Sequence, residues 1–241
     1  MPNTLILAAT SSMGSALARQ LHRDGHGLHL SGRDPDRLQS LASEVQAGWS
    51  LADLADATDV AKVFDAASAA LGALDGVAHC PGSILLKPAH LTSDEEWRAT
   101  MRVNLDSAFF TVRECGKRMR QGGSVVLVSS AAARHGLASH EAIAAAKAGV
   151  IGLARSAAAT YARQNLRFNV VAPGLVESPL SAFITQQSAM RKASEAMHPL
   201  GRLGAPEDVA AMMAFLLDPG HTWITGQVIG VDGGLADLRS R

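Results

Sequence analysis

Short apolar runs alternate along the chain with longer stretches in which apolar residues recur every three to four positions. The short runs predict β-strands at residues 4–9, 27–31, 77–79, 124–128, 167–171 and 227–231. The longer stretches predict helices with one apolar stripe each: Ala16, Leu17 and Leu21; Leu38, Leu41 and Val45; Val60, Val63, Phe64 and Ala67. Strands joined through amphipathic helices form parallel sheets that are covered on both faces. The pattern therefore predicts a doubly wound α/β fold with ligands at the carboxyl ends of its strands.

Length and composition predict one domain that spans residues 1–241. A chain of 241 residues with 47% hydrophobic content can bury one substantial core. The alanine-rich stretch at residues 142–159 favours a closely packed helix. Pro173 and Gly174 then break the chain, and the weakly patterned segment 175–200 is typical of a mobile lid over a substrate.

Charge and cysteine content limit the kinds of binding partner and the cellular compartment that we expect. Lysine plus arginine equals aspartate plus glutamate at 22 each, so no net charge attracts nucleic acid or an anionic membrane surface. The apolar stretch 5–9 is too short to span a bilayer. Because the first charged side chain is Arg19, this stretch also lacks the positive flank of a secretory signal. Cys80 and Cys115 lack the spacing of metal ligands, so we expect no metal site and a reducing, cytoplasmic location.

A small-residue loop follows the first strand and leads into a helix. Residues 8–18 read AATSSMGSALA, with little side-chain bulk at the helix start. The free backbone N–H groups of such a helix end can receive a pyrophosphate. Small residues also serve ordinary strand–helix turns, so the loop alone leaves both interpretations open.

From Thr4 to about Leu235 the order and spacing of further motifs resemble the short-chain dehydrogenase/reductase family. The matching segments are the loop just described, Ser129-Ser130, Lys147 with the residues that follow it to Ser156, 169–174 and 226–234. The resemblance implies a Rossmann-type sheet of about seven strands and a bound nicotinamide dinucleotide. In the family's TGxxxGxG pattern, Ala8 and Ser12 replace glycines and Gly14 alone matches. The residues that it implies for cofactor binding include Ala8, Thr10, Ser11, Ser12, Met13, Gly14, Gly82, Lys147, Pro173, Gly174, Val176 and Ser178.

The residues after the second strand predict which dinucleotide is preferred. Family members that prefer NAD place an acidic residue where this chain has Gly32, and Arg33 follows it. A guanidinium there can hold a ribose 2′-phosphate, so NADP(H) is preferred and NAD(H) is the second choice. The alternative is that Arg33 is only an exposed residue at a helix start. Asp53 and Leu54 resemble the pair that contacts the adenine, with a solvated loop aspartate as the alternative.

The resemblance also implies catalytic residues, and one of them is replaced. Ser130, Lys147 and Asn104 match the family's serine, lysine and helix asparagine, whose role is to hold a water in the proton relay. Ile143 stands where the Tyr-x-x-x-Lys motif begins, and isoleucine cannot transfer a proton. Tyr161 lies fourteen residues beyond Lys147, about 21 Å further along the helix.

His140 is the candidate replacement for the tyrosine. An enoyl-reductase branch of the family carries its tyrosine seven residues before the lysine, and His140 stands in that register. Nearly two helical turns separate it from Lys147, so both lie on one face, and an imidazole can supply a proton at neutral pH. The equal alternative is that His140 only caps the helix or lies at its solvent end. The segment His79-Cys80-Pro81-Gly82 replaces Asn-Asn-Ala-Gly and keeps only Gly82.

Two functions follow from these residues. The first is an NADP(H)-dependent reductase of a small molecule with a carbonyl or conjugated C=C bond, in which His140 or a water near Asn104 delivers the proton. The second is a catalytically silent dinucleotide-binding protein, a sensor or partner subunit. The resemblance also implies a homodimer or homotetramer that pairs through helices at residues 104–119 and 144–161.

Overall fold

Seven parallel strands form one sheet in the computed structural model, which describes residues 1–238. The strands are β1 (Asn3–Leu7), β2 (Gly27–Gly32), β3 (Gly48–Leu51), β4 (Gly76–His79), β5 (Gly123–Val128), β6 (Leu166–Pro173) and β7 (Val228–Val231). Their order across the sheet is β3-β2-β1-β4-β5-β6-β7. The order reverses between β1 and β4, and such a switch point opens a crevice at the carboxyl ends of the strands. The doubly wound α/β fold predicted from the pattern is confirmed.

Two strand predictions need correction. The predicted strands omitted β3, because this strand lies at the sheet edge and exposes Trp49 and Leu51 instead of burying an apolar run. The first strand was predicted to reach Ala9, yet β1 ends at Leu7. Ala8 adopts a left-handed backbone conformation, with φ at 56°, and therefore cannot continue the strand.

Helices cover both faces of the sheet. They are α1 (Ser12–Arg23), α2 (Pro35–Glu44), α3 (Ala57–Leu71), α4 (Asp94–Met101), α5 (Ser107–Arg118), α6 (Glu141–Tyr161), α7 (Ala182–Thr185), α8 (Ser188–Met197) and α9 (Pro206–Leu217). The predicted stripes are buried, with Leu17 and Leu38 in one core cluster and Phe64 in the other. The first cluster joins α1, α2 and α9, and the second joins α3, α5 and α6. Each cluster packs against one face of the sheet.

Two local features position the residues around the sheet's carboxyl edge. A π-helical turn, Arg102–Asp106, joins α4 to α5, and such turns are frequent at functional sites. The segment 175–200 holds α7 and α8, and its end is tied back to its start. His198 accepts a hydrogen bond from the Leu175 N–H at 3.2 Å. The predicted lid therefore begins and ends at one point beside the sheet.

The central helix α6 is long and apolar. With the turn that follows it, residues 141–164 are long and apolar enough to cross a membrane by length and composition alone. Core helices of globular proteins pass the same test, and buried residues such as Val150 and Ala154 pack here into the core cluster with α3 and α5.

Candidate active site

A cavity of about 850 Å³ opens at the carboxyl ends of the central strands. Its volume lies in the range of small-molecule and cofactor sites. The predicted site residues that line it are Ala8, Thr10, Ser11, Ser12, Met13, Arg33, Asp53, Leu54, Gly82, Ser130, Lys147, Pro173, Gly174, Val176 and Ser178. Gly14, Asn104 and His140 are not among the lining residues.

The loop between β1 and α1 forms one end of the cavity. The Ser11 hydroxyl caps α1 by accepting from the Gly14 N–H at 3.1 Å. A Cβ at Gly14 would lie 2.7 Å from the Ala8 carbonyl oxygen, so this glycine allows the loop to fold closely onto the helix. The N–H groups of Ser12 and Met13 have no hydrogen-bond partner within residues 1–238. They remain available to an anion at the positive end of the helix dipole.

Two arginines follow β2 at the same end. Arg33 is exposed, lines the cavity and makes no ion pair with any residue that the structure describes. Arg37 also lines the cavity and donates to the Thr10 carbonyl oxygen at 2.7 Å. Sequence reasoning missed Arg37, although its position one helical turn after Arg33 is a signal that could have identified it. Two guanidiniums and the carboxylates of Asp34 and Asp53 therefore line this end of the cavity.

Asp53 and Leu54 follow β3 and line the cavity beside these arginines. The Asp53 carboxylate accepts from the Ala55 N–H at 3.0 Å and lies 3.4 Å from Arg102. Leu54 is buried and offers an apolar surface. An aromatic ring can pack on Leu54 while polar groups of the loop contact its edge.

Lys147 is the buried cation at the other end of the cavity. Its Nζ donates to the Val128 carbonyl oxygen at 3.0 Å and to the Pro81 carbonyl oxygen at 3.4 Å. Burial lowers the pKa of Lys147 to about 8. Ser130 lies two residues beyond the end of β5 and lines the same cavity. The ammonium and the hydroxyl are therefore both held at the end of one strand.

Ile143 lies one helical turn before Lys147 on α6 and also lines the cavity. Tyr161, the chain's one tyrosine, is at the opposite end of this helix. Its ring packs on Phe168 with centroids 5.7 Å apart, within the core cluster of α3 and α5. Within residues 1–238, no tyrosine lines the cavity.

Asn104 sits in the π-helical turn and is completely buried. Its Oδ1 accepts from the Ser83 N–H at 3.1 Å, and its Nδ2 donates to the Ser83 Oγ at 2.8 Å and to the Thr100 carbonyl oxygen at 2.9 Å. Both amide hydrogens are thus engaged. Ser83, which sequence reasoning missed, lines the cavity in place of the asparagine.

His79 and Cys80 form the buried wall behind the cavity. The Ser107 hydroxyl donates to the Val103 carbonyl oxygen at 2.7 Å, so its oxygen accepts from the His79 Nε2–H at 3.0 Å. The His79 Nδ1 has no partner in the described part of the chain. Burial and the charge of Lys147 lower the pKa of His79 to about 3, and burial raises the pKa of Cys80 to about 12. Both are therefore uncharged near pH 7.

His140 precedes the first residue of α6, away from this wall. Its Nδ1 lies 2.7 Å from the Ala138 carbonyl oxygen. The structure thus places the predicted proton donor at the helix start and not among the cavity-lining residues.

Comparisons with known proteins agree with this arrangement. The family model described as "Enoyl-(Acyl carrier protein) reductase" matches residues 7–236. A 3-oxoacyl-[acyl-carrier-protein] reductase of Thermotoga maritima is 31% identical over 240 residues, which cover 96% of each chain. A short-chain type dehydrogenase/reductase of Mycobacterium ulcerans has a solved structure with a TM-score of 0.93 and 31% identity, over 99% of this chain and 91% of that one. The chain belongs to the short-chain dehydrogenase/reductase family.

Solved structures of this oxidoreductase family include an actinorhodin polyketide ketoreductase variant with NADPH. It matches the present chain with a TM-score of 0.93 and 25% identity over 98% of both chains. Members of the short-chain dehydrogenase/reductase family bind NAD(P)H. The cavity fits such a group, because free helix N–H groups and two arginines lie at one end and Ser130 and Lys147 at the other. Gly174, which also lines the cavity, must be a glycine because a Cβ there would lie 2.6 Å from the His198 Nε2.

Proposed function

We propose that this short-chain dehydrogenase/reductase reduces a carbonyl or conjugated C=C bond of a small molecule with NADP(H), without a tyrosine as proton donor. The observation that carries the proposal is the joint presence of Arg33, Ser130 and Lys147 around one cavity. A bound nicotinamide supplies the hydride. The names of two similar proteins, a 3-oxoacyl reductase and a ketoreductase, support a carbonyl as the accepting group.

Each end of the cavity has a defined task in this proposal. Arg33 holds the ribose 2′-phosphate, with NAD(H) bound more weakly because it lacks that phosphate. The Ser130 hydroxyl donates a hydrogen bond to the accepting oxygen and stabilises the negative charge that develops there. Ile143 presents a hydrocarbon surface beside the reacting bond where the family motif has its tyrosine.

The cofactor assignment is tested by calorimetric titration with NADPH and NADH. A charge-assisted contact to Arg33 is worth about 1.5–3 kcal/mol, so NADPH should bind about ten- to a hundredfold more tightly than NADH. Arg33→Ala should remove most of this difference, whereas Arg120→Ala, an exposed arginine outside the cavity, should leave it unchanged. Equal affinity of the unmodified protein for both dinucleotides would refute the preference.

A catalytically silent dinucleotide-binding protein is the second candidate, and Ile143 is the observation that favours it. A panel of ketones and enones, followed by loss of NADPH absorbance, separates the two. If the unmodified protein reduces nothing while Ile143→Tyr gains activity, the silent function is correct. Activity of the unmodified protein establishes the reductase.

A further inference from the structure

The cavity offers few groups that can give up a proton near the accepting oxygen. Its titratable lining residues are Arg33, Asp34, Arg37, Asp53, Cys80 and Lys147. The first four follow β2 or β3, which are three and four strands away from β5 in the sheet. Neighbouring strands lie about 4.8 Å apart, so the strands that carry these four residues are roughly 14 to 19 Å from β5, the strand that Ser130 follows. Only Cys80 and Lys147 lie on the Ser130 side.

Lys147 has one N–H that the protein leaves free. A protonated amine carries three hydrogens, and the carbonyl oxygens of Val128 and Pro81 accept two of them. The third has no acceptor among residues 1–238. A Cβ at Gly82 would lie only 3.8 Å from Nζ, so the glycine keeps the cavity open next to the ammonium. Ile143, one turn earlier on the same face, places no polar group there.

The electrostatic surroundings favour release of this proton. Burial is the main cause that lowers the pKa of Lys147 to about 8, close to the value that suits a general acid at neutral pH. The titratable groups that act on it are His79 and Cys80, both on the wall formed by the end of β4, and both are uncharged near pH 7. Within the described residues, no carboxylate pairs with Nζ.

The competing donors are less well placed. The two amide hydrogens of Asn104 are engaged by Ser83 and Thr100, so Asn104 has no N–H left to hold a water. His140 does not line the cavity. The Cys80 thiol, with a pKa raised to about 12, is a far weaker acid than Lys147.

We propose that Lys147 is the general acid of the reduction, a proposal that rests on the reductase function proposed above. Hydride adds to the carbonyl carbon, and the electron pair of the C=O π bond moves to oxygen. The oxygen takes a proton from the Lys147 Nζ, directly or through one water, as the N–H bond breaks and its electron pair stays on nitrogen. The neutral amine regains a proton from solvent.

The first test measures the protonation of Lys147 without any reaction. The chain has five lysines, so a sample labelled with ¹⁵N and ¹³C at lysine gives five side-chain signals to follow against pH by NMR. The signal missing from Lys147→Arg identifies residue 147, and Lys192→Arg, at an exposed position, is the matched control. We expect residue 147 to titrate near pH 8. Titration of residue 147 near 10 would overturn the proposal.

The second test measures single-turnover reduction at saturating NADPH. Lys147→Arg keeps the charge, but its guanidinium stays protonated, so the rate should fall about 10²- to 10⁴-fold. The reduction rate of the unmodified protein should fall as pH rises through about 8, and this pH dependence should be absent in Lys147→Arg. Adding Ile143→Tyr to Lys147→Arg should restore part of the rate, because a tyrosine supplies the missing proton. A lysine that only binds ribose predicts instead that the rate of the unmodified protein at saturating NADPH does not fall as pH rises through about 8.

The outcomes separate this proposal from the function on which it rests. An active unmodified protein whose rate survives Lys147→Arg but falls with His140→Ala overturns the role of Lys147 and leaves the reductase intact. An unmodified protein that reduces no ketone or enone overturns both. Retained NADPH binding in that case identifies the silent dinucleotide-binding protein.

Discussion

Acidification should destabilise this protein through His79, because the folded chain has no place for a second proton on that ring. Nε2–H already donates to Ser107, and Nδ1 has no hydrogen-bond partner within residues 1–238, so an added proton would be a poorly paired buried donor near the Lys147 ammonium. The pKa of His79 falls from 6.5 to about 3 on folding. Stability is thus lost as pH falls below 6.5 towards 3, where the unfolded chain binds the proton and the folded chain does not.

The size of the loss follows from these two values. Between pH 7 and pH 5 the linkage relation gives about 2 kcal/mol for this one histidine. For a chain of this length, that lowers the melting temperature by roughly 4–8 °C. His29, whose pKa burial also lowers, contributes equally to the unmodified protein and to a His79 variant, and so cancels in the comparison.

The assay is thermal unfolding of the unmodified protein and of His79→Asn at pH 7 and pH 5. The variant should lose about 2 kcal/mol less on acidification, whatever its stability at pH 7. If the His79→Asn variant folds poorly, His79→Gln serves as a second variant. His90→Asn, at an exposed position, is the control. If the unmodified protein and both His79 variants lose the same stability between the two pH values, the inference that His79 is buried in its neutral form is wrong.

Two further predictions concern backbone strain and assembly. Ala8 holds a left-handed φ of 56°, which costs about 1 kcal/mol or more relative to glycine. Glycine also has more entropy in the unfolded chain, which offsets part of this gain, so Ala8→Gly should raise the free energy of unfolding in denaturant titration by about 0.5–1 kcal/mol. The control Ala9→Gly should lower the free energy of unfolding, and an Ala8→Gly variant without any gain would contradict the strain. We also propose a homodimer or homotetramer that pairs through α5 and α6. A Cβ added at Gly152 on α6 would meet open space, so Gly152→Leu should leave the fold intact but disrupt the pairing and reduce the mass in light scattering towards 25.1 kDa. The control Gly136→Leu, in a loop, should leave the mass unchanged. A monomeric unmodified protein would refute the assembly.

The hydrophobic pattern predicted the fold well because the sheet is buried on both faces. Residues 125–128 of β5 form a continuous buried apolar run, and Leu17 and Phe64 lie at helical spacing on the buried faces of their helices. The edge strand β3 escaped prediction because a strand that packs on one side needs no such run. The end of β1 escaped because the left-handed conformation of Ala8 depends on the loop around it, not on the residue type.

The site was predictable to the extent that strand ends determine it. Ser130 and Arg33 lie within two residues of the ends of β5 and β2, so their positions in the chain place them at the cavity. Contacts between distant segments were not predictable. The engagement of Asn104 by Ser83, 21 residues away, and the place of His140 outside the cavity lining depend on how a π-helical turn and a helix start are oriented. Periodicity carries no information about either.

A buried ammonium without a carboxylate partner affects more than proton transfer. Folding takes Lys147 out of water, and the two backbone carbonyls that accept from it return only part of the lost hydration. This deficit lowers its pKa, and it also favours negative charge at the free N–H in the cavity. In the proposed reduction, an oxygen that gains negative charge as hydride arrives interacts strongly with this N–H, whereas a neutral carbonyl oxygen interacts with it only weakly. The stabilisation is therefore larger in the transition state than in the bound substrate, which is the condition for catalysis and not merely for binding.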